Sequence, residues 1–154
     1  MFEPKLISPL LDDFIVGNAM SEHNGVRCYP AMKNNSDTKY ILKIISIPAS
    51  SVQTDALLLT GAYKTVEEAT AYFAQLVKDT ENELNALDRL AKMEGFLTYE
   101  GHQVIENPST GGFDVYLLGL YKRSLERHFR KYSMTHLQAV NLGLDMCASL
   151  AVCR

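Results

Sequence analysis

The feature that most constrains the fold is a long stretch without glycine or proline, from Val66 to Glu94. Thr65 and Glu68 have the spacing of a capping box, in which the hydroxyl and the carboxylate accept hydrogen bonds from backbone donors at a helix start. Gly95 is suited to end the helix. The pattern predicts one long amphipathic helix, or two in near-continuation, because apolar or small residues recur at intervals of three and four: Ala69, Phe73, Leu76, Val77, Thr80, Leu84, Leu87, Leu90 and Ala91.

Short runs of β-branched and aromatic residues flank this helix on both sides and predict strands. Three runs precede it, at residues 14–17, 26–29 and 40–45, and they predict an antiparallel meander. Two further strands are expected around the turn at residues 107–112: one from residues 96–99 and 103–105, the other from residues 113–118. Two helices complete the chain, at residues 125–132 and 135–154, while residues 55–62 receive no assignment. The predicted fold is α+β, a five-stranded antiparallel sheet with the long helix packed on it.

Composition narrows the class of partner. The 154 residues carry 15 Lys and Arg against 18 Asp and Glu, a net charge of −3. Such a balance argues against a broad surface for nucleic acid or anionic lipid, and the basic stretch at residues 122–131 is interrupted by acidic and apolar residues, as a solvated helix face would be. No apolar run has the length of a membrane span, and the first residues lack the order of a signal peptide. We therefore expect a cytoplasmic protein that binds neither nucleic acid nor membrane.

Cysteine, histidine and methionine give no sign of a metal or redox site. Their spacings match no zinc pattern and no redox pair, so no metal is expected. We expect the cysteines to be reduced and to serve as small hydrophobic residues of the core. The histidines should lie at the surface or be partly buried, and the methionines should fill the core. The residues concerned are Cys28, Cys147 and Cys153; His23, His102, His128 and His136; and Met20, Met32, Met93, Met134 and Met146.

Lys43 is unusual because it lies in an otherwise apolar predicted strand, Tyr40-Ile-Leu-Lys43-Ile-Ile. On a helical wheel of about 100° per residue, Glu83 lies at the margin of the apolar stripe of the long helix, from which its carboxylate could reach a lysine on the sheet. The alternatives are an outward-pointing lysine on a strand and one solvated acid among several. On helix geometry alone, the solvated Glu83 is favoured.

At these residues the chain resembles the protein-kinase family, in particular bacterial Ser/Thr-kinase-like proteins. The segment around Lys43 is similar to the third strand of the amino-terminal lobe, the VAIK-type motif, and Glu83-Leu-Asn-Ala-Leu is similar to the C helix. The later segments resemble, in the family's order, the fourth strand, the fifth strand with the hinge, and the D and E helices. The resemblance covers the chain from about residue 14 to its last residue. It implies an amino-terminal lobe at residues 1–122 and a helical start of a carboxy-terminal lobe at residues 123–154.

The resemblance also implies site residues. In the family the lysine holds the ATP phosphates, the helix glutamate orients the lysine, and the hinge backbone binds adenine. These roles carry over to Lys43, to Glu83 and to Leu120, Tyr121 and Lys122, with Gly119 at the gatekeeper position. The resemblance further implies that Val26 and Ile41 line the nucleotide site.

The departures from the family pattern are as informative. The segment from Gly17 to Gly25 keeps only the end glycines of the family's loop and is two residues longer, and Ile41 replaces a small alanine. No HRD, DFG or APE motif occurs, and the chain stops at Arg154. We expect no kinase activity from this chain, and ATP binding that is weak or absent.

Two functions from different classes follow. The first is a non-catalytic interaction module, a pseudokinase-like scaffold with an unknown protein partner; the alternative is the ATP-binding lobe of a Ser/Thr kinase whose catalytic half lies outside this chain. An unrelated α+β domain is the third hypothesis. Because apolar residues lie almost all around the last helix, we also expect a homodimer through that helix. The Lys43–Glu83 ion pair is expected if the resemblance holds.

Overall fold

The structure, a computed structural model, describes residues 7–93, 99–122 and 125–152. Its centre is one antiparallel sheet built from β1 (Phe14–Val16), β2 (Ser21–His23), β3 (Val26–Lys33), β4 (Lys39–Ile47), β5 (Tyr99–Asn107) and β6 (Gly112–Leu120). The strand order is β1-β3-β4-β6-β5, and β2 also pairs with β3. The α+β class and the antiparallel sheet agree with the sequence prediction. The described sheet has six strands, one more than expected, because β2 lies outside the first predicted strand at residues 14–17 and pairs with the start of β3.

Within the described residues, four helices accompany the sheet: α1 (Ser51–Leu59), α2 (Val66–Ala91), α3 (Leu125–Phe129) and α4 (His136–Val152). The capping box forms at the start of α2, where the backbone N–H of Glu68 donates to Thr65 Oγ1 at 3.2 Å. The Glu68 carboxylate accepts from the backbone N–H of Lys64 at 2.7 Å. The long helix predicted from residue 66 is therefore one continuous helix. Its predicted terminator, Gly95, and most of the predicted strand at 96–99 lie outside the described residues.

The two faces of the sheet bury different sets of side chains. On the outer face, the N-terminal segment of residues 7–13 contributes Ile7 and Leu11 to a cluster with Tyr29, Leu42, Ile44, Tyr116 and Leu118. On the opposite, helix-side face, α2 contributes Phe73, Val77 and Leu84 to a cluster with Ile47 and Val115. The alternation of side chains along β4 produces both clusters, because Leu42 and Ile44 point outward while Ile45 and Ile47 point toward the helix.

The N-terminal segment is held across the outer face by Gln103 of β5. Its side-chain Nε2 donates to the carbonyl of Ser8 at 2.8 Å, and its Oε1 accepts from the backbone N–H of Leu10 at 3.4 Å. Leu10 packs against the outer cluster, close to Gly101. The first described residues are therefore packed on the sheet, although the sequence pattern predicts no helix or strand there.

Neither α3 nor α4 packs closely on the described sheet or on α1 and α2. Within the described residues, no helix combines the length and the apolar character needed to cross a membrane.

Candidate functional site

The helix-side face of the sheet is only partly covered. Because α2 lies mainly across β5 and β6, the half of this face built by β1, β3 and the start of β4 has no described helix over it. Strand register aligns the side chains of this uncovered half in two rows that run across the strands. One row contains Ile15, Met32 and Lys39, and the other contains Pro30 and Ile41. Lys43 follows in the next row, between Cys28 and Leu117. We call this surface, formed by Ile15, Pro30, Met32, Ile41 and Lys43, the open face.

Lys43 and Glu83, the two residues expected to pair, do not form an ion pair. Both side chains are exposed, and among the described residues no carboxylate oxygen lies within 4.0 Å of the Lys43 ammonium. Lys43 does point to the side of the sheet on which α2 packs, since its neighbour Leu117 contacts the helix-side cluster. The helix turns Leu84, not Glu83, onto the sheet. The expected ion pair is therefore wrong for this structure, because α2 covers β5 and β6 and leaves Lys43 beside it in solvent.

The remaining predicted nucleotide-site residues divide between the two faces. Val26 and Ile41 share the helix side with Lys43, since they occupy alternate positions in register with it. Leu120 lies opposite Tyr40 and packs against the outer cluster, on the other face. Lys122 follows β6 and is exposed. The structure thus gathers Val26, Ile41 and Lys43 and separates the Leu120 side chain from them.

The segment between Gly17 and Gly25 is hydrogen-bonded along β3. The backbone N–H groups of Gly17 and Met20 donate to the carbonyls of Pro30 and Cys28, both at 2.8 Å, and β2 pairs with the start of β3. Asn24 and Gly25 have φ values of 48° and 75°, which make a tight hairpin turn. The tip rests on Ala49, because a Cβ at Gly25 would lie 2.5 Å from the Ala49 Cβ. Gly17 and Met20 therefore have no backbone donors free for a phosphate.

A cleft of about 480 Å³ opens at the β1 end of the open face. Ile15, Met20, Met32 and Tyr121 line it with exposed apolar surface, and among the described residues that line it only Lys39 is charged. The Met20 and Met32 side chains are 54% and 41% exposed, so the expectation that they fill the core is wrong. Sequence reasoning missed this cleft because alternation along a strand shows which residues share a face, but not whether a helix covers that face.

A buried polar network crosses four strands at the other end of the sheet, on the outer face. Arg27 Nη2 donates to Ser46 Oγ at 2.8 Å, and Ser46 Oγ donates to Asp114 Oδ1 at 2.6 Å. Asn107 Nδ2 donates to the same carboxylate oxygen at 3.0 Å, and the Arg27–Asp114 ion pair spans 3.5 Å. Arg27, Ser46 and Asp114 are each less than 9% exposed. Since its charges and hydroxyl are matched within the protein, this network serves stability.

Tyr99 carries a buried hydroxyl at the first residue of β5. Within the described part of the chain, no hydrogen-bond partner reaches its oxygen, and its ring stacks on His102 with the centroids 6.1 Å apart. Burial, with a smaller contribution from the Asp88 carboxylate, raises the pKa of Tyr99 to about 12.

Cysteine and metal chemistry is sparse in the described residues. Cys28 is a half-buried free thiol and Cys147 is an exposed one, so the expectation of a buried Cys147 is wrong; Cys153 lies outside the described residues. No group of three His, Cys, Asp or Glu side chains that could hold a metal ion occurs in residues 7–93, 99–122 and 125–152.

Comparisons with protein-family models, with curated proteins and with solved structures found no match to this chain.

Proposed function

We propose that this chain is a non-catalytic interaction module, built on a lobe like the amino-terminal lobe of the protein kinases, that binds an apolar segment of a protein partner on its open face. The observation that carries the proposal is the uncovered apolar half of the helix-side face. Ile15 is 59% exposed and lies beside Met32 and the cleft of about 480 Å³. Contiguous exposed apolar surface of this kind is typical of interaction sites.

The chemistry of the open face favours a protein segment over a nucleotide. Apart from the exposed Lys43, the residues that form the open face are apolar, and the exposed Lys39 lines the cleft at its β1 end. A triphosphate needs several converging donors, whereas the Gly17 and Met20 amides are bonded to β3 and no described carboxylate orients Lys43. The proposal therefore includes ATP binding that is weak or absent, and it requires no bound metal ion. A cytoplasmic location, which suits reduced thiols, belongs to the same proposal.

The second candidate is the ATP-binding lobe of a Ser/Thr kinase. One observation favours it: Val26, Ile41 and Lys43 lie on the same face of the sheet, and the cleft reaches Tyr121 in the segment that resembles the hinge. Since the ion pair is not formed, the resemblance depends on the order of the elements and on the packing of α2 against the sheet.

Titration with Mg-ATP in a calorimeter separates the two candidates. For the interaction module we expect no saturable binding below about 1 mM, and the same result for Lys43→Ala. Saturable binding at a few micromolar that is lost in Lys43→Ala, but kept in the control Lys64→Ala, would establish the nucleotide-binding candidate instead. Lys64 is an exposed lysine that precedes α2, away from the open face.

Peptide selection tests the interaction module directly. Peptides selected for binding to the chain should be rich in apolar residues, and Met32→Glu should lower their affinity for the chain at least tenfold. Met93→Glu is the matched control, because Met93 is 46% exposed but lies beyond the end of α2. Peptides that bind both variants equally well would show that the open face is not the binding surface.

A further inference from the structure

α4 is an apolar helix with almost all of its side chains in solvent. Leu137, Leu144 and Leu150 are 68%, 63% and 66% exposed, and Met146 is 55% exposed. Leu142 is half-buried. A monomer rarely leaves such a surface in water, so this helix requires a covering partner.

One stripe of α4 has the spacing of a coiled coil. Its positions are separated by three, four, three and four residues, and we call it the seam: Leu137, Val140, Leu144, Cys147 and Ala151. All five are exposed. Within residues 136–151, only Leu142 and Ser149 are partly covered, and at about 100° per residue they lie on the opposite side of the helix from the seam. The side of α4 that is partly covered within the chain is therefore not the seam.

We propose that the seam pairs with the seam of a second copy of this chain, in antiparallel orientation. The alternating spacing of three and four residues, a mean of 3.5, keeps the five side chains in one narrow stripe, which fits the surface of a second helix. Asp145 is the one acidic or basic residue of α4 apart from His136, and it lies off the seam. A charged partner would find no counter-charge there, whereas two identical neutral seams meet without repulsion.

Antiparallel order follows from helix dipoles and side-chain size. Opposed helices bring the positive end of each dipole next to the negative end of the other. One register pairs the four seam residues that are larger than Ala151. In it, Val140 packs against Leu144 of the second copy, and Leu137 packs against Cys147 of the second copy. Each of these layers joins a larger side chain to a smaller one, which is how facing positions fill space without voids.

The size of α4 sets the expected strength of pairing. A helix of 17 residues is about 25 Å long, and one helix pair of that length buries less than the roughly 800 Å² per partner of a standard interface. We therefore expect a dimer that forms and dissociates rapidly with concentration. This inference does not depend on what the open face binds.

Cysteine cross-linking tests the orientation. In a chain with Cys28→Ser and Cys153→Ser, the native Cys147 alone should give little covalent dimer under mild oxidation, because it faces Leu137 of the second copy. Adding Leu137→Cys should give a dimer linked between positions 137 and 147. Gln138→Cys, about 100° from the seam, is the control and should not cross-link. Cross-linking by Cys147 alone at the same rate as with Leu137→Cys would overturn the antiparallel order.

Sedimentation equilibrium between about 10 and 300 μM tests the pairing itself. The apparent mass should rise with concentration, and Leu144→Glu should weaken the dimer at least tenfold with an unchanged circular dichroism spectrum. Met146→Glu replaces an apolar residue off the seam that is 55% exposed, against 63% for Leu144, and it should change the dissociation constant less than twofold. A monomer over the whole range, or equal effects of the two substitutions, would overturn the proposal.

Discussion

Removing the carboxylate of Asp114 should cost a large part of the stability of the folded chain. Asp114 and Arg27 have side chains that are 6% and 9% exposed, with 3.5 Å between their charged atoms. At an effective dielectric constant of about 20, Coulomb attraction at that distance is about 5 kcal/mol. Desolvation offsets much of this attraction in the intact pair, but Asp114→Ala would leave the Arg27 charge buried without its carboxylate, and Ser46 and Asn107 without their acceptor. We expect a loss of about 3–5 kcal/mol.

Urea denaturation followed by circular dichroism measures this loss. With a denaturant slope of about 2 kcal/mol per molar, the midpoint should fall by about 2 M. The matched control is Glu100→Ala, which breaks the Lys33–Glu100 ion pair, whose atoms are 3.4 Å apart but whose side chains are 41% and 30% exposed. Such a pair contributes at most about 1 kcal/mol. Replacing both charges, in Arg27→Met with Asp114→Leu, should recover most of the stability. If Asp114→Ala cost no more than Glu100→Ala, the assignment of the network to stability would be refuted.

Four further substitutions have defined outcomes. Gly112→Ala should lower the unfolding free energy by about 1–3 kcal/mol, because the added Cβ would overlap the Ile47 carbonyl oxygen and Pro48 Cδ. Gly143→Ala should instead raise the unfolding free energy by up to about 1 kcal/mol, because a Cβ there would have nothing within 4 Å. Equal effects of the two substitutions in thermal unfolding would contradict this account. Thr65→Ala should cost about 1 kcal/mol by removing the acceptor at the start of α2, and an unchanged melting temperature would show that the cap contributes nothing. Because the pKa of Tyr99 is raised to about 12 from 10.0, its contribution to stability is complete below pH 10 and is lost as the pH rises through 12. The unfolding free energy of Tyr99→Phe should therefore fall less between pH 10 and 12 than that of the parent chain, and parallel pH profiles would contradict the raised pKa.

The elements with a strong periodic pattern could be predicted from the sequence. α2 was predictable because Phe73, Val77 and Leu84 recur on one side of it and Thr65 marks its start. α1 was not, because it buries no side chain and Ser50 makes no side-chain capping bond, so burial imposes no pattern on its residues. β2 was not predictable either, because its three residues, Ser21–His23, are polar or charged and all exposed.

The candidate site was less predictable than the fold. Sequence alternation placed Lys43 on a strand, and the helical wheel placed Glu83 at the margin of a stripe, but their distance depends on where α2 crosses the sheet. That crossing is set by the packing of Phe73, Val77 and Leu84 against Ile47 and Val115, which are far apart in the sequence. The open face exists for the same reason, because it is the part of the sheet that this packing leaves uncovered.

The hydrogen bonds between Gln103 and the N-terminal segment can form only late in the synthesis of the chain. Ser8 and Leu10 lie 95 and 93 residues before Gln103, so they leave the ribosome long before their partner exists. At about 5–20 residues per second, the delay is on the order of 5–20 s. During that interval Ile7 and Leu11 have no complete sheet to cover. A chain shortened to begin at Phe14 would retain every strand yet expose Tyr29 and Leu42 permanently, so the folding unit begins before the first strand.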